Sequence, residues 1–502
     1  MERNDIFATA LKGESRRTLT ENGAEALNST GEAVLDLFSV VGALRNADDL
    51  RIQRLFEESY KEDPLLTAKT LFYARDARGG LGERATFRKL LRYAAMTHPE
   101  MVEPNIHLIG LYGRFDDLYS LIFTKCEDKM WEYMKSLFAA DLELMEAGQP
   151  CSLLAKWIKT PDASSRNTRA LGILTAKKLG YSVYDFKRKL RALRKYLDIV
   201  EIKMSARRWA EIDYSAVPSN AMMKHRLAFW KHDEEGMMKF IESLEKGETK
   251  INASTLYPYD LVEKVFCNRA WGYGARGYIF NEDPVIEAQW KALPNYVEPG
   301  TNAIVIADTS GSMTGRPMNS AIGLAIYFAE RNSGPYHNLY MSFSDRSTVH
   351  EIKGATLAQK IASINMSDWG GSTNLEAAFM HILDIAVKSE IPASEMVKSI
   401  VVITDMEINP YNVDGDWTFY DEMKTRYYQH GYEIPNVVFW NVNSRNDTYL
   451  ADSTRKGVQL VSGQSVSTFK NLIGSIGMTP VEMMLKVLND GRYDLVTVEE
   501  VA

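Results

Sequence analysis

The run Ala303-Ile304-Val305-Ile306-Ala307 stops at Asp308, and Ser310 and Ser312 follow at the next alternate positions. No other stretch restricts the possible folds as much. A short, β-branched apolar run predicts a strand over 303–307 buried on both faces, as strands of a parallel sheet are. In open α/β sheets, ligands collect beyond the carboxyl ends of the strands. A carboxylate and two hydroxyls there make a hard-oxygen set of the kind Mg²⁺ (or Mn²⁺) accepts, because such an ion keeps water and needs few protein ligands. A second apolar run, 399–404, likewise ends in an acid, Asp405. The competing reading is that Asp308 and the serines only cap the helix that follows.

Strand and helix patterns alternate after 303. Strands are expected over 303–307, 338–343, 399–404, 436–440 and 458–461. Helices are expected over about 317–331, 353–364, 375–387 and 420–430, and from 467. Such alternation predicts a doubly wound parallel sheet with helices on both faces. A further helix over 480–489 and an acidic end make up a tail, 479–502.

Residues 1–290 read as mostly helical. Apolar residues recur at spacings of three and four over 33–44, 65–74 and 86–95. Many amphipathic helices with short connections predict stacked helix pairs, an α-solenoid. Residues 291–302, with two prolines and a glycine, read as the linker between this domain and the domain 303–478.

Charge is concentrated within the helical part. The chain carries a net charge of −7, yet Lys156 to Arg208 holds 15 Lys or Arg against four acids. That imbalance predicts contact with phosphate backbones. The candidates are Lys156, Lys159, Arg166, Lys187, Arg188, Arg191, Arg194, Lys195, Arg207 and Arg208. A solvated helix face is the alternative. The interleaved Trp157, Tyr181, Tyr184, Phe186, Tyr196 and Trp209 fit either base stacking or core packing. A second block, from Phe72 to Arg84, holds three glycines and three arginines between two helices. Arg75, Arg78 and Arg84 suit phosphate or carboxylate contacts, or else the block is a helix–helix turn. Gly113-Arg114-Phe115-Asp116-Asp117 reads as a similar turn, with Asp116 or Asp117 as the N-cap.

Other function classes fall away. The Gly-x-Gly-x-x-Gly match at 272–277 follows a helical pattern rather than a strand, so it is rejected as a dinucleotide site. Three well-separated cysteines argue against a disulfide framework, and no apolar run has the ~18 residues of a membrane span. The start lacks a basic and then apolar leader. A monomeric, cytoplasmic protein is expected.

The Asp308-x-Ser310-x-Ser312 signature resembles the metal-ion-dependent adhesion site (MIDAS) of von Willebrand factor A domains, and the resemblance implies two further ligands, Thr373 in the loop 369–374 and Asp405 after the run 399–404. A long helical region followed by such a domain resembles the Ro ribonucleoprotein family, whose TROVE module is a ring of HEAT-like helices. A TROVE-like, DUF2828-like subgroup shows the blocks Tyr73-Ala74-Arg75-Asp76, Arg78-Gly79-Gly80, Gly82-Glu83-Arg84, Ala155-Lys156-Trp157 and Val217-Pro218-Ser219. The resemblance implies binding of small noncoding or single-stranded RNA by a basic ring, with an A domain that closes the ring or docks a partner's acidic residue. The expectation is a noncatalytic scaffold. A MIDAS-dependent interaction module without RNA is the runner-up, and a metal-dependent hydrolase stands third.

Overall fold

The computed structural model describes residues 11, 13–267, 279–343, 347–365, 373–410, 419–473 and 475–499. The glycine-rich match 272–277 and the loop residues 369–372 lie outside these. The chain is mixed α/β and forms two compact units. One comprises Met1–Asp63, Gly79–Glu83 and Ala253–Asp490, and the other Pro64–Arg78, Arg84–Asn252 and Gly491–Ala502. This division by compactness differs from a linear cut near 290.

The strands in chain order are β1 Arg17–Leu19, β2 Glu25–Leu27, β3 Phe266–Cys267, β4 Ile279–Phe280, β5 Ala303–Asp308, β6 Leu339–Phe343, β7 Thr348–Glu351, β8 Ser399–Thr404, β9 Asn436–Asn441 and β10 Val458–Ser462. Six of them make one sheet in the order β10-β9-β8-β5-β6-β7. All neighbours run parallel except β6 and β7. After β5 the chain goes first to one side (β6) and later to the other (β8), so the strand order reverses between β5 and β8. In such sheets that reversal opens a crevice at the strand ends. Asp308 ends β5, and Asp405 immediately follows β8.

Period-two packing accounts for the central strands. Ile304, Ile306, Ile400, Val402, Val437 and Phe439 form a core with Phe379, Leu383, Met423 and Tyr427. These last four come from the helices Leu375–Lys388 and Phe419–Gln429. On Trp440 packs Phe469, 4.8 Å away, which in turn stacks on Phe328 of the helix Arg316–Arg331 at 5.2 Å. The edge strand β7 was not expected, and the helix expected from 353 begins at Leu357. Thr-Val-His-Glu on a half-exposed edge has no apolar run to mark it.

The N-terminal segment also departs from the helical reading. β1 and β2 form a hairpin, three residues a side, too short to leave a periodic signal. Leu27 exchanges backbone hydrogen bonds with Tyr449 at 2.9 and 2.8 Å, and Ala24 and Ala26 enter the core under β5 and β8. Gly42 backs onto Gly463 so closely that a Cβ at 42 would lie 2.7 Å from the Gly463 Cα.

The other unit is helical, with Pro64–Arg75, Arg84–Thr97, Glu127–Glu146, Arg166–Lys178, Val183–Tyr196, Ser219–His232 and Glu234–Glu245 as its longer helices. Phe72, Phe87, Tyr112, Phe138 and Phe186 are fully buried. Ser182 caps the helix Val183–Tyr196, its hydroxyl accepting the Asp185 N–H at 3.1 Å. Among the described residues no helix is long and apolar enough to cross a membrane.

Candidate cation site and cationic helix face

The carboxyl ends of β5 and β8 gather buried oxygens, with the exposed Ser312 at their rim. Asp308 is inaccessible to solvent; its Oδ1 accepts the Ser310 N–H at 2.8 Å and its Oδ2 the Thr404 hydroxyl at 2.6 Å. The Ser310 and Ser312 hydroxyls lie 3.0 Å apart. Thr373 is buried, and its carbonyl accepts N–H groups from Leu375 and from Asn409, just beyond β8. Burial, with the charge of Asp405 beside it, pushes the Asp308 carboxyl up to about 6 against the hydrogen bonds it accepts.

Asp405 is engaged otherwise. Its Oδ1 accepts the Glu407 N–H at 3.2 Å, and its Oδ2 pairs with Arg445 at 3.1 Å. The second branch of Arg445 pairs with Glu21 at 2.6 Å. Glu407 is buried as well, and accepts the Glu21 N–H at 2.6 Å and the Asn446 amide at 3.0 Å. Reading the sequence did not single out Glu21, Glu407 or Arg445. The only local signal was an acid set between the apolar Met406 and Ile408.

In the helical unit the expected phosphate contacts divide into free and engaged side chains. On the helix Val183–Tyr196, Phe186, Leu190 and Leu193 face inward. At ~100° per residue, Lys187, Arg188, Arg191, Arg194 and Lys195 fall within an arc of about 120° beside that stripe. Arg191 and Lys195 are exposed and make no ion pair among the described residues, and Arg188 has only an exposed Asp185 at 3.5 Å. Lys187 pairs with Asp162 at 3.3 Å. Arg194 is turned inward: its Nε donates to the Ala155 carbonyl at 2.8 Å and its Nη2 to that of Ile158 at 3.0 Å, and burial lowers its pKa. It fixes a loop rather than offering a free charge. Arg166 and Arg207 are exposed, and Arg208 pairs with Glu211 at 2.8 Å. Lys156 lies 5.5 Å above the Trp157 ring and lines a cavity of about 300 Å³ with Lys203. Lys159 reaches Asp116 at 3.6 Å. Arg75 is buried on Asp117 at 2.7 Å, so it is not available to a ligand; Arg78 is exposed, donating to the Leu111 carbonyl at 3.3 Å, and Arg84 is exposed. At the 113–117 turn it is Asp117 that returns to the backbone, accepting the Arg114 N–H at 3.1 Å.

Two family models match the chain. A domain of unknown function, DUF2828, covers residues 20–147 and 149–299, more than half of the chain. The chain belongs to the DUF2828 family. A second domain of unknown function, DUF7788, matches residues 302–493 of this DUF2828 protein. Uncharacterized protein L728 of Acanthamoeba polyphaga mimivirus is 27% identical over 517 residues, covering 94% of this chain and 87% of that protein.

The sheet-end donors of the DUF2828 chain fit a hard divalent ion. Asp308 accepts bonds from Ser310 and Thr404 and keeps acceptor capacity, and the Ser312 hydroxyl adjoins that of Ser310. Among the described residues no three His, Cys, Asp or Glu side chains group as metal ligands. A set completed by hydroxyls falls outside that count. Because Arg445 occupies Asp405, that carboxylate is suited to holding an ion through water rather than directly.

Proposed function

We propose that this protein is a noncatalytic, Ro-like RNA-binding scaffold. The helical unit is read as a HEAT-like solenoid or ring, and the sheet unit as a von Willebrand factor A domain. The ligand is small noncoding or single-stranded RNA. The observation that carries this reading is the cationic arc on Val183–Tyr196, where, among the described residues, Arg191 and Lys195 stand exposed without an acid partner and Arg188 has only an exposed one. Arg166 and Arg207 add exposed charge nearby in sequence. Single-stranded RNA is a polyanion, and such contacts release counterions, so affinity falls with salt at a log–log slope of about −0.7 per phosphate neutralised. The test is a salt titration of a fluorescein-labelled single-stranded RNA with the full chain. Reversing Arg188, Arg191 and Lys195 to Glu is expected to weaken binding and flatten the slope. A salt-independent affinity in the natural protein would sink the reading.

At the sheet end, Mg²⁺ or Mn²⁺ would be held by Asp308, Ser310 and Ser312, with Thr373 and Asp405 behind them. The bound ion supplies an open coordination position for a partner's carboxylate. The buried carboxylates there also support a second reading, a metal-dependent protein-docking module without RNA. Asp308→Ala is expected to abolish the rise in Tm that Mg²⁺ produces. If partner capture is lost with Asp308→Ala but untouched by nuclease, the second reading replaces the first.

A further inference from the structure

The helical unit holds another concentration of charge, centred on Asp116 and Asp117. Asp117 is fully buried and accepts Arg75 Nε at 2.7 Å, Arg88 Nε at 2.6 Å and the Arg114 N–H at 3.1 Å. Asp116, with 6% of its side chain exposed, takes the Arg114 fork at 2.8 and 2.7 Å, Arg88 at 3.0 Å and Lys159 at 3.6 Å. Each carboxylate is therefore already paired with at least two cations. The cations above them stay partly open: Arg88 is 33% exposed, Arg114 31% and Lys159 26%.

Arg84 adds a fifth cation. It lies one helical turn before Arg88 on the same face of Arg84–Thr97, is exposed, and makes no hydrogen bond or ion pair among the described residues. Partial burial and the charges of Arg114 and Arg88 hold its pKa below the ordinary value, which agrees with a guanidinium facing other guanidiniums. The Arg114 guanidinium lies 3.7 Å from the Trp157 ring centroid, so its plane is fixed. Among the described residues, five cations thus face two carboxylates.

We propose that Arg84, Arg88, Arg114 and Lys159 form a phosphate-binding site. One carboxylate ligand would offset a single charge of the excess. A phosphate offers more charge and three or more acceptor oxygens, in the geometry that guanidinium forks match. The phosphate is taken to be a phosphodiester of the bound strand, which rests on the RNA-binding reading above; a terminal or free phosphate has the same chemistry.

The site is tested with Arg84→Gln, an exposed change whose fold is checked by its melting curve, alongside Arg191→Gln on the arc. The probes are a 3′-fluorescein 12-mer RNA with a 5′-hydroxyl, the same RNA with a 5′-phosphate, and inorganic pyrophosphate. Arg84→Gln is expected to weaken the 5′-hydroxyl RNA several-fold and to lower the salt slope by about 0.7. Pyrophosphate is expected to compete with RNA for the natural protein and less for the variant. A loss confined to the 5′-phosphorylated RNA moves the source to a strand end and overturns the phosphodiester assignment. If Arg191→Gln weakens RNA and Arg84→Gln does not, the phosphate site fails while the RNA reading stands. If no RNA binds, yet pyrophosphate raises the Tm of the natural protein and not of Arg84→Gln, the site stands without that reading. Pyrophosphate without effect on either protein, together with no RNA binding, removes both.

Discussion

The sheet end and the 84–117 cluster solve one problem with opposite signs. At the sheet end, among the described residues, Asp308, Asp405, Glu407 and Glu21 stand against one guanidinium, that of Arg445. In the cluster, Arg75, Arg84, Arg88, Arg114 and Lys159 stand against Asp116 and Asp117. The two aspartates at the centres respond accordingly. Burial and Asp405 push Asp308 up to about 6. Burial would raise Asp116 too, but the hydrogen bonds and charges of Arg114 and Arg88 outweigh it and hold the carboxyl at about 2. Burial raises both carboxyls, and the sign of the neighbouring charge decides which way each finally moves. The charge left over in each place sets what each can attract: a cation in one, an anion in the other.

The largest effect is expected from Arg75→Met. Both Arg75 and Asp117 are buried, so removing one partner leaves Asp117 short of a cation at a cost of about 3 kcal/mol. Urea unfolding that shows less than about 1 kcal/mol would mean Arg88 alone neutralises the site.

Acid comes next. The folded pKa of Asp116 lies below its ordinary 3.8. Its contribution is therefore present above about pH 4 and lost as pH falls toward 2, on the order of 1–2 kcal/mol once the exposure of its cations is allowed for. Asp116→Asn is expected to flatten the acid limb of Tm against pH; an unchanged limb would place the acid sensitivity elsewhere.

At the opposite site, Arg445→Met frees Asp405 and adds net negative charge. Mg²⁺ affinity, followed by thermal shift, is expected to rise about tenfold, or about 1.4 kcal/mol. A weaker affinity would show that Arg445 positions Asp405 rather than competing for it. The smallest effect belongs to Arg188→Ala. Its pair with Asp185 is exposed, so stability is expected to change by less than about 0.5 kcal/mol while RNA affinity falls.

The strands at the centre of the sheet were legible because burial on both faces forces a continuous apolar run. The 399–404 run is strand β8 to the residue, and 303–307 is β5 short of Asp308. Strand ends are where a parallel sheet brings side chains of different strands together, so Asp308, Ser310, Ser312 and Asp405 could be named as candidates from order along the chain. Edge strand β7 and the β1–β2 hairpin were not legible, because short strands lack a period. Nor was it legible which charges are free. Arg75, Arg194 and Arg191 look alike in sequence, yet the first two are held by Asp117 and by two carbonyls and the third stands in solvent. Residue type and spacing decide where a helix or strand will lie and which face is apolar, since those depend on neighbours a few positions away. Whether a charge is spent depends on partners such as Glu21 and Arg445, over 400 positions apart, which only the folded chain brings within 2.6 Å.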